Sequence, residues 1–292
     1  MRFGVWPINQ QPLADVLEVA EHAGATGWDG IWMSDHLLPA GPPTDQPVVE
    51  CWTTLTAIAA RVPTSRIGSL VLSNTFRHPA VLAKMVATID QLAPGRFVLG
   101  LGAGWQANEH TAFGIELPPP ADRLRDLADA CTLIRSLLDH GRTGPGEGDT
   151  AIAPVPATRI PILLGLKGDR ALSIVASHAD EWNLWADPDR LRERSEVLVR
   201  HCERAGRDPA TIRRTAQAVV AFTDVDEAVD PRWERAGLPL LAGSPEEMRE
   251  RIGAYQDAGL DELIVPDFAL GRGARRLELL DRFLTDVAAG FR

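Results

Sequence analysis

The chain has 292 residues, 45% of them hydrophobic and 24% charged, and its formal net charge is −10. Its basic residues form no stripe that could follow a phosphate backbone, so the sequence argues against nucleic acid as a partner. No apolar run approaches the roughly 18 residues of a membrane span, and the expected location is the cytoplasm. Three widely spaced cysteines have the spacing of neither a disulfide framework nor a metal site.

Short runs typical of β-strands alternate with longer helical patterns along the chain, which indicates βα units around a parallel sheet. Eight strands are predicted, at Arg2–Trp6, Asp29–Met33, Arg66–Leu72, Arg96–Leu101, Pro161–Leu164, Glu181–Leu184, Val219–Phe222 and Glu262–Pro266. Apolar residues at helical spacing predict helices at Leu13–Ala25, Val81–Leu92, Leu124–Leu138, Ala171–Ser177, Arg190–Arg204, Pro245–Asp257 and Arg275–Ala289.

Two stretches that break this rhythm, Leu38–Val49 and Gly141–Thr158, are predicted to be loops or insertions. No shift in composition and no linker divides the rest of the chain, which favours a single domain over residues 1–292. Repeated βα units that fill about 250 residues or more are typical of an α/β fold, the TIM (β/α)8 barrel.

Polar residues follow four of the predicted strands, and barrel enzymes carry their chemistry on the loops that follow strands. We therefore expect these four exits to face one another. They are Ser34-Asp35-His36, Ser73-Asn74-Thr75, Gly102-Ala103-Gly104-Trp105 with the following Asn108-Glu109-His110, and Gly165-Leu166-Lys167-Gly168.

His36 and Glu109 are the candidate catalytic residues, because histidine and carboxylate side chains exchange protons near neutral pH and a neighbouring acid such as Asp35 can orient a histidine. An Asp-His pair after a strand is also common in an ordinary turn or helix cap. Glu109 could equally be a solvated loop acid. The position of both residues at strand exits favours the catalytic interpretation.

The run from Gly102 to Ala107 matches the relaxed G-x-G-x-x-A fingerprint of dinucleotide-binding domains. We reject that interpretation, because the run follows the fourth strand and leads to Pro118-Pro119-Pro120 instead of a phosphate-binding helix. These glycines more simply allow the backbone to approach a flat ring or a substrate.

Gly165, Lys167 and Gly168 precede a predicted helix, where free N–H groups and a lysine could receive a phosphate. An ordinary strand-to-helix turn is the alternative. No HExxH motif or carboxylate cluster suggests a metal, so no metal site is predicted.

The chain resembles the luciferase-like flavin- and deazaflavin-dependent oxidoreductases, and especially their coenzyme F420-dependent branch. The resemblance spans nearly the whole chain and rests on GWDGIWMSDHLL, ECWTTLTAIAARV, SNTFRHPAVLAKMVATIDQLAPGRFVLGLGAGW, NEHTAFGIELPPPADRL, ADEWN and AGSPEEMRERIGAYQDAGLDELIV.

The resemblance implies a cofactor ring in the barrel mouth, with Asp35 and His36 near it and Glu109 as an acid, base or polar anchor. It also implies that Ser73-Asn74 lies at a bulge with a cis non-prolyl peptide, and that Gly102, Gly104 and Trp105 pack near the cofactor. The Gly165-Leu166-Lys167-Gly168 segment departs from the glycine run that is common in the family, which weakens the transfer of a role in binding the cofactor tail.

The leading hypothesis is hydride transfer between coenzyme F420 and a small organic substrate. A second hypothesis is an FMN-dependent monooxygenase supplied by a separate flavin reductase. A third, from another class, is a catalytically idle barrel that binds a ligand. The resemblance also implies a homodimer, whereas the sequence does not identify the substrate.

Overall fold

The computed structural model describes residues 1–41, 45–141, 153–225 and 229–292. Its strands are β1 (Arg2–Trp6), β2 (Gly30–Met33), β3 (Arg66–Ser69), β4 (Leu72–Ser73), β5 (Phe97–Gly102), β6 (Ile162–Gly165), β7 (Glu181–Trp185), β8 (Arg213–Gln217), β9 (Val219–Phe222), β10 (Leu240–Gly243) and β11 (Glu262–Pro266). Its helices are α1 (Leu13–Thr26), α2 (Cys51–Arg61), α3 (Pro79–Ile89), α4 (Ala107–Phe113), α5 (Pro120–His140), α6 (Asp169–His178), α7 (Pro188–Arg204), α8 (Pro231–Arg235), α9 (Pro245–Asp257) and α10 (Gly273–Arg282).

The main sheet is a closed ring of parallel strands. Hydrogen-bonded neighbours run in the order β3-β2-β1-β11-β8-β7-β6-β5-β4, and β3 also pairs with β5, which closes the ring. Because β3 and β4 are two pieces of one ring position, the nine strands fill eight positions of the barrel. The predicted TIM barrel is therefore confirmed.

The seventh ring position differs from the prediction. The barrel strand is β8, whereas the predicted strand Val219–Phe222 is β9, which pairs with β10 in a separate two-stranded parallel sheet. The sequence RRTAQ of β8 does not look like a buried strand, because Thr215 and Gln217 turn polar side chains into the barrel. The apolar run VVAF next to it was the stronger strand signal, and it led to the wrong choice.

Most predicted helices are present with ends shifted by a few residues, and capping explains several of the observed starts. Asp187 accepts a hydrogen bond from Arg190 N at the start of α7, and Ser244 and Glu247 form a capping box at the start of α9. Helices α2, α4 and α8 were not predicted. The described parts of Leu38–Val49 contain neither helix nor strand, whereas residues 42–44, and 142–152 of the second predicted loop, lie outside the described residues.

The amino-terminal half of the barrel interior is filled by Trp32, whose side chain is fully buried. Glycines surround its ring: a Cβ at Gly4 would be 2.6 Å from Trp32 Nε1, and one at Gly68 would be 2.5 Å from its Cζ3. Trp32 Nε1 donates to Glu262 at 2.8 Å, and Glu262 also accepts from Arg66 at 2.7 Å. Small residues on the neighbouring strands therefore make room for one large side chain.

The ion cluster at this end continues from Arg66 to Glu181, which Arg66 also contacts. Burial raises the pKa of the Glu262 carboxyl, and the Arg66 guanidinium opposes that change. A cavity of about 440 Å³ adjoins this cluster and is lined by residues that include Arg2, Trp28 and Arg66. It contains none of the predicted site residues, and this end of a barrel generally serves stability.

Candidate active site

His36 and Glu109, the predicted catalytic pair, are brought together at the carboxyl-terminal end of the barrel. His36 follows β2, and Glu109 lies in the first turn of α4, which follows β5. Nδ1 of His36 is 3.2 Å from Oε1 of Glu109, and Oε2 of Glu109 accepts a hydrogen bond from Leu37 N at 2.8 Å. The Glu109 side chain is 2% exposed and that of His36 is 25% exposed. Glu109 therefore orients the ring of His36 and does not itself reach a substrate.

The remaining ring nitrogen of His36 is uncommitted. Among the described residues, Nε2 has no hydrogen-bond partner, while Nδ1 is held by Glu109. The ring of Trp105 stands edge-on to the His36 ring, with centroids 5.6 Å apart. Nε2 of His36 is thus available to a further hydrogen-bond partner.

Asp35, which the resemblance places near a cofactor ring, is held by residues of the neighbouring segments. Its side chain is fully buried and accepts hydrogen bonds from Arg77 at 2.7 and 3.0 Å and from Ser73 N at 2.9 Å. Arg77 also contacts Glu50, the residue that caps α2, at 2.6 Å. Burial raises the pKa of the Asp35 carboxyl, and Arg77 opposes this change. Asp35 therefore holds together the chain segments at the ends of β2 and β4.

A chain of hydrogen bonds connects Ser73 to the buried His110. Nδ1 of His110 is 2.7 Å from the carbonyl oxygen of Gln106, so this nitrogen must be the donor. In the neutral ring Nε2 then accepts from Thr75 Oγ1 at 2.7 Å, and Thr75 in turn accepts from Ser73 Oγ at 2.7 Å. Ser73 consequently presents lone pairs to the barrel mouth.

The glycines after β5 allow close packing at the same place. Gly104 has a φ of +79°, and a Cβ there would be 2.6 Å from Ser73 Oγ. Trp105 is 64% exposed and stands at the rim. Arg123 of α5 donates to the carbonyl oxygen of Gly104, while its buried Nε has no partner among the described residues. Arg123 thus supplies a positive charge beside this loop.

The cis non-prolyl peptide that the resemblance implied is present, but it lies earlier than expected. It joins Leu70 to Val71, between β3 and β4, two residues before Ser73. Asn74 N donates to Gly102 O at 2.9 Å, and the buried Oδ1 of Asn74 has no partner in the described structure. Asn74 therefore offers a free acceptor near the exit of β5.

The segment after β6 has the features of a phosphate-binding turn. Gly168 is the N-terminal cap of α6 without a side-chain hydrogen bond, and no atom lies within 4 Å of a Cβ built there. Lys167 is exposed, and no hydrogen bond or ion pair to it occurs in the described ranges. Gly165 lies against Val71, which would be 3.0 Å from a Cβ. The backbone N–H groups at the start of α6 and the Lys167 side chain are thus both accessible to a ligand.

Several site residues were missed by the sequence analysis. Thr75 and His110 were named among the strand exits without a role, whereas Arg77 was missed. Arg77 lies within a segment that carried the family resemblance, and a polar side chain four residues after the end of β4 was the available signal. Arg123 is far along the chain from the loop that it contacts and gave no such signal. Gln217 was missed because its strand was assigned wrongly.

Further observations concern metals, membranes and thiols. Within the described residues, no group of three or more His, Cys, Asp or Glu side chains could hold a metal ion. None of the described helices is long and apolar enough to cross a membrane. All three cysteines are buried and unpaired, and burial raises the pKa of Cys131 to about 12.

Comparisons with known proteins identify the family of this chain. The family model for luciferase-like monooxygenases matches residues 1–238. The F420-dependent glucose-6-phosphate dehydrogenase of Amycolatopsis mediterranei (strain U-32) is 38% identical over 94% of this chain and 93% of its own length. The 5,10-methylenetetrahydromethanopterin reductase of Methanolobus tindarius is 26% identical over 89% of this chain and 78% of its own length.

A solved structure with the same fold is an F420-dependent secondary alcohol dehydrogenase in complex with an F420-acetone adduct. It is 20% identical, has a TM-score of 0.77, and covers 91% of this chain and 92% of its own. At that identity the likeness shows the fold alone, whereas the family model and the curated relatives show the family. The chain therefore belongs to the luciferase-like monooxygenase family, in the branch whose relatives above are named F420-dependent.

Proposed function

We propose that this protein is an F420-dependent oxidoreductase that exchanges a hydride between the deazaflavin and a small organic substrate. The observation that carries the proposal is the His36–Glu109 pair, which leaves Nε2 of His36 free at the barrel mouth. The curated relatives named F420-dependent, which cover more than nine-tenths of this chain, support the same cofactor.

The residues after β4, β5 and β6 fit a flat ring. Gly102 and Gly165 both lie against Val71: a Cβ at Gly102 would be 2.7 Å from Val71 Cγ2, and one at Gly165 would be 3.0 Å from it. Because both residues are glycines, neither has a side chain that could obstruct a ring placed against this part of the barrel. The unpaired Oδ1 of Asn74 and the lone pairs of Ser73 can accept hydrogen bonds from ring N–H groups.

The cofactor's charged tail has a candidate partner in the turn before α6. Free N–H groups at a helix start bind phosphate, and Gly168 leaves them uncovered. Lys167 adds a charge there, and Arg123 adds another beside Gly104. These residues, together with Trp105, would hold F420.

When bound, F420 supplies hydride exchange, and the protein supplies orientation and proton transfer. Nε2 of His36 takes up the proton of a substrate hydroxyl, or returns it to a carbonyl in the opposite direction. The Glu109 carboxylate at Nδ1 stabilises the ring while it carries the additional proton. Asp35 and Arg77 keep the loop that carries His36 in place.

Parallel titrations with F420 and FMN, in oxidised and reduced forms, test the choice of cofactor. We expect binding of F420 and no uptake of oxygen, because a deazaflavin transfers hydrides and reacts poorly with O₂. Tight binding of FMN with substrate-dependent oxygen uptake, and no affinity for F420, would establish the monooxygenase hypothesis instead. Binding of neither cofactor would indicate an idle barrel.

Replacement of His36 by Asn tests the proton-transfer role. Loss of general acid–base catalysis should lower turnover by about 10²- to 10⁴-fold, while F420 affinity changes much less. His22→Asn is a matched control, because His22 also pairs with a carboxylate, Asp281 at 2.7 Å, but on the outer helices. Full turnover of the His36→Asn variant at saturating cofactor would contradict the assignment.

The protein is further proposed to act as a homodimer in the cytoplasm, as the family resemblance implies. Exposed apolar side chains on or next to α3, Val81 at 56% and Leu92 at 45%, support an association of this kind. Light scattering after size-exclusion chromatography measures the mass in solution, and a monomer at micromolar concentration would contradict the dimer.

A further inference from the structure

Aromatic side chains line one arc of the barrel mouth. Trp6 ends β1, Trp185 ends β7 and Phe268 follows β11; the centroid of the Trp6 ring is 5.8 Å from that of Trp185 and 5.1 Å from that of Phe268. Trp233 of α8 stacks on Phe268 at 5.7 Å. Because β1 pairs with β2, the strand that leads to His36, this aromatic arc and the proposed proton-transfer residue follow neighbouring strands.

Two buried polar atoms on the aromatic arc lack partners. Trp6 is 8% exposed and Gln217 is 3% exposed, yet Trp6 Nε1 and Gln217 Oε1 have no hydrogen bond within the described residues. Gln217 pairs in register with Trp185 and with Ile264, and Ile264 belongs to the interior cluster that contains Trp6, so the Gln217 side chain points into the barrel. A buried unpaired donor and acceptor cost free energy unless a ligand satisfies them.

Two cations next to the aromatic arc are engaged by carboxylates. Arg276 binds Asp267 at 2.7 Å, and both side chains are almost fully buried. Arg232 binds Asp230 at 2.9 Å and lies over the Trp233 ring. Lys167 lies on the exit of β6, which is separated from Gln217 on β8 by β7. Arg276 and Arg232 are therefore committed to carboxylates, and Lys167 lies two ring positions away, so none of the three is a free positive charge within this arc.

We propose that the aromatic arc is the substrate subsite and that it selects a neutral, planar, largely apolar alcohol or carbonyl compound. Trp6 Nε1 donates to the oxygen of this substrate, and Gln217 Oε1 accepts its O–H when the substrate is the alcohol. The identity of the reaction rests on the proposed function, but binding to this subsite does not. An anionic substrate is disfavoured, since burying a charge without a partner is costly.

The subsite is tested on the cofactor-free protein with three probes of similar size. These are 1-(2-naphthyl)ethanol, the hydrocarbon 2-ethylnaphthalene and the anion 2-naphthyl phosphate, each titrated by calorimetry, with glucose 6-phosphate as a fourth arm. We expect the alcohol to bind about 2- to 10-fold more tightly than the hydrocarbon, which is the range of one net hydrogen bond. The two phosphates should bind at least 10-fold more weakly than the alcohol.

Two substitutions assign the polar contacts. Trp6→Phe removes the N–H and keeps an aromatic ring, and Gln217→Leu removes the acceptor and keeps a similar volume. Each should weaken binding of the alcohol about 2- to 10-fold and leave binding of the hydrocarbon nearly unchanged. Trp52→Phe, in α2 outside the barrel, is the matched control and should change neither affinity.

The comparison of probes on the unmodified protein decides the proposal even when a variant does not fold. Equal or tighter binding of either phosphate overturns it, and so does failure of the alcohol to bind. If the alcohol binds as expected while F420 does not, the subsite stands and the proposed function fails. If F420 binds and the alcohol does not, the proposed function stands and the subsite is wrong.

Discussion

The two ends of this barrel differ in the contacts of their central polar side chains. At the amino-terminal end, Arg66 pairs with both Glu181 and Glu262, and Trp32 donates to the same Glu262. At the carboxyl-terminal end, Nε2 of His36 and several buried atoms, such as Gln217 Oε1, have no partner within the described residues. Breaking a buried pair is costly, whereas an unpaired group is available to a ligand. The two ends can therefore be told apart by substitution.

The amino-terminal cluster gives the largest expected effect on stability. Arg66→Met leaves Glu181 and Glu262 without their shared cation, and removal of one partner from a buried ion pair typically costs about 3–5 kcal/mol. Urea unfolding measures the loss. Arg61→Met is the control, because Arg61 and its partner Glu21 are 53% and 41% exposed, and exposed pairs contribute about 1 kcal/mol or less.

Trp32→Phe is a milder version of the same test in case Arg66→Met does not fold. It removes the hydrogen bond to Glu262 and should cost about 1–3 kcal/mol, since the acceptor is then left buried without that partner. If Arg66→Met and Trp32→Phe lower the free energy of unfolding no more than the Arg61→Met control does, the amino-terminal cluster is not a stabilising feature.

At the carboxyl-terminal end, Glu109→Gln should affect catalysis more than stability. Glu109 is buried and acts through His36, so loss of its charge removes a charged hydrogen bond of about 1.5–3 kcal/mol, or about 10- to 100-fold in kcat/KM. The pH dependence of kcat/KM should change as well, whereas F420 affinity should not. Asp281→Asn, in the pair with His22, is the control. An unaltered pH profile would mean that Glu109 is only structural.

A smaller effect is expected at the exit of β6. Lys167→Ala should weaken F420 binding about 2- to 5-fold at low ionic strength, as for an exposed charge pair. The loss should shrink in 1 M salt, where the screening length falls to about 3 Å. The other lysine of the chain, Lys84 in α3, provides Lys84→Ala as the control. Equal effects of the two substitutions would remove Lys167 from the site.

The smallest effect concerns the cysteines. All three are buried, and the pKa of Cys131 is raised to about 12, so the native protein should not react with a thiol-specific reagent near neutral pH. After denaturation three thiols should be titrated. Rapid modification of a thiol in the native protein would show that local opening exposes the core.

The sequence by itself determined the barrel and the loops that carry the site. Alternating strand and helix patterns have the periods of these elements whatever their final contacts, and seven of the eight predicted strands overlap ring positions. The strand exits followed directly, because parallel strands all end at one side of the ring. His36 and Glu109 were chosen on this basis, and the structure brings them to 3.2 Å.

Only the tertiary structure decided how the polar residues divide their roles. Asp35 and Glu109 are both acids at strand exits, but Asp35 pairs with Arg77 whereas Glu109 contacts His36. The partners in these two contacts are 42 and 73 positions apart in the chain. Closure of the ring also decided which segment is the seventh strand. Gln217 has the polarity of a surface residue, but pairing of β8 with β7 and β11 places its side chain inside the barrel. Periodicity is a local property, whereas burial and pairing depend on which distant segments meet.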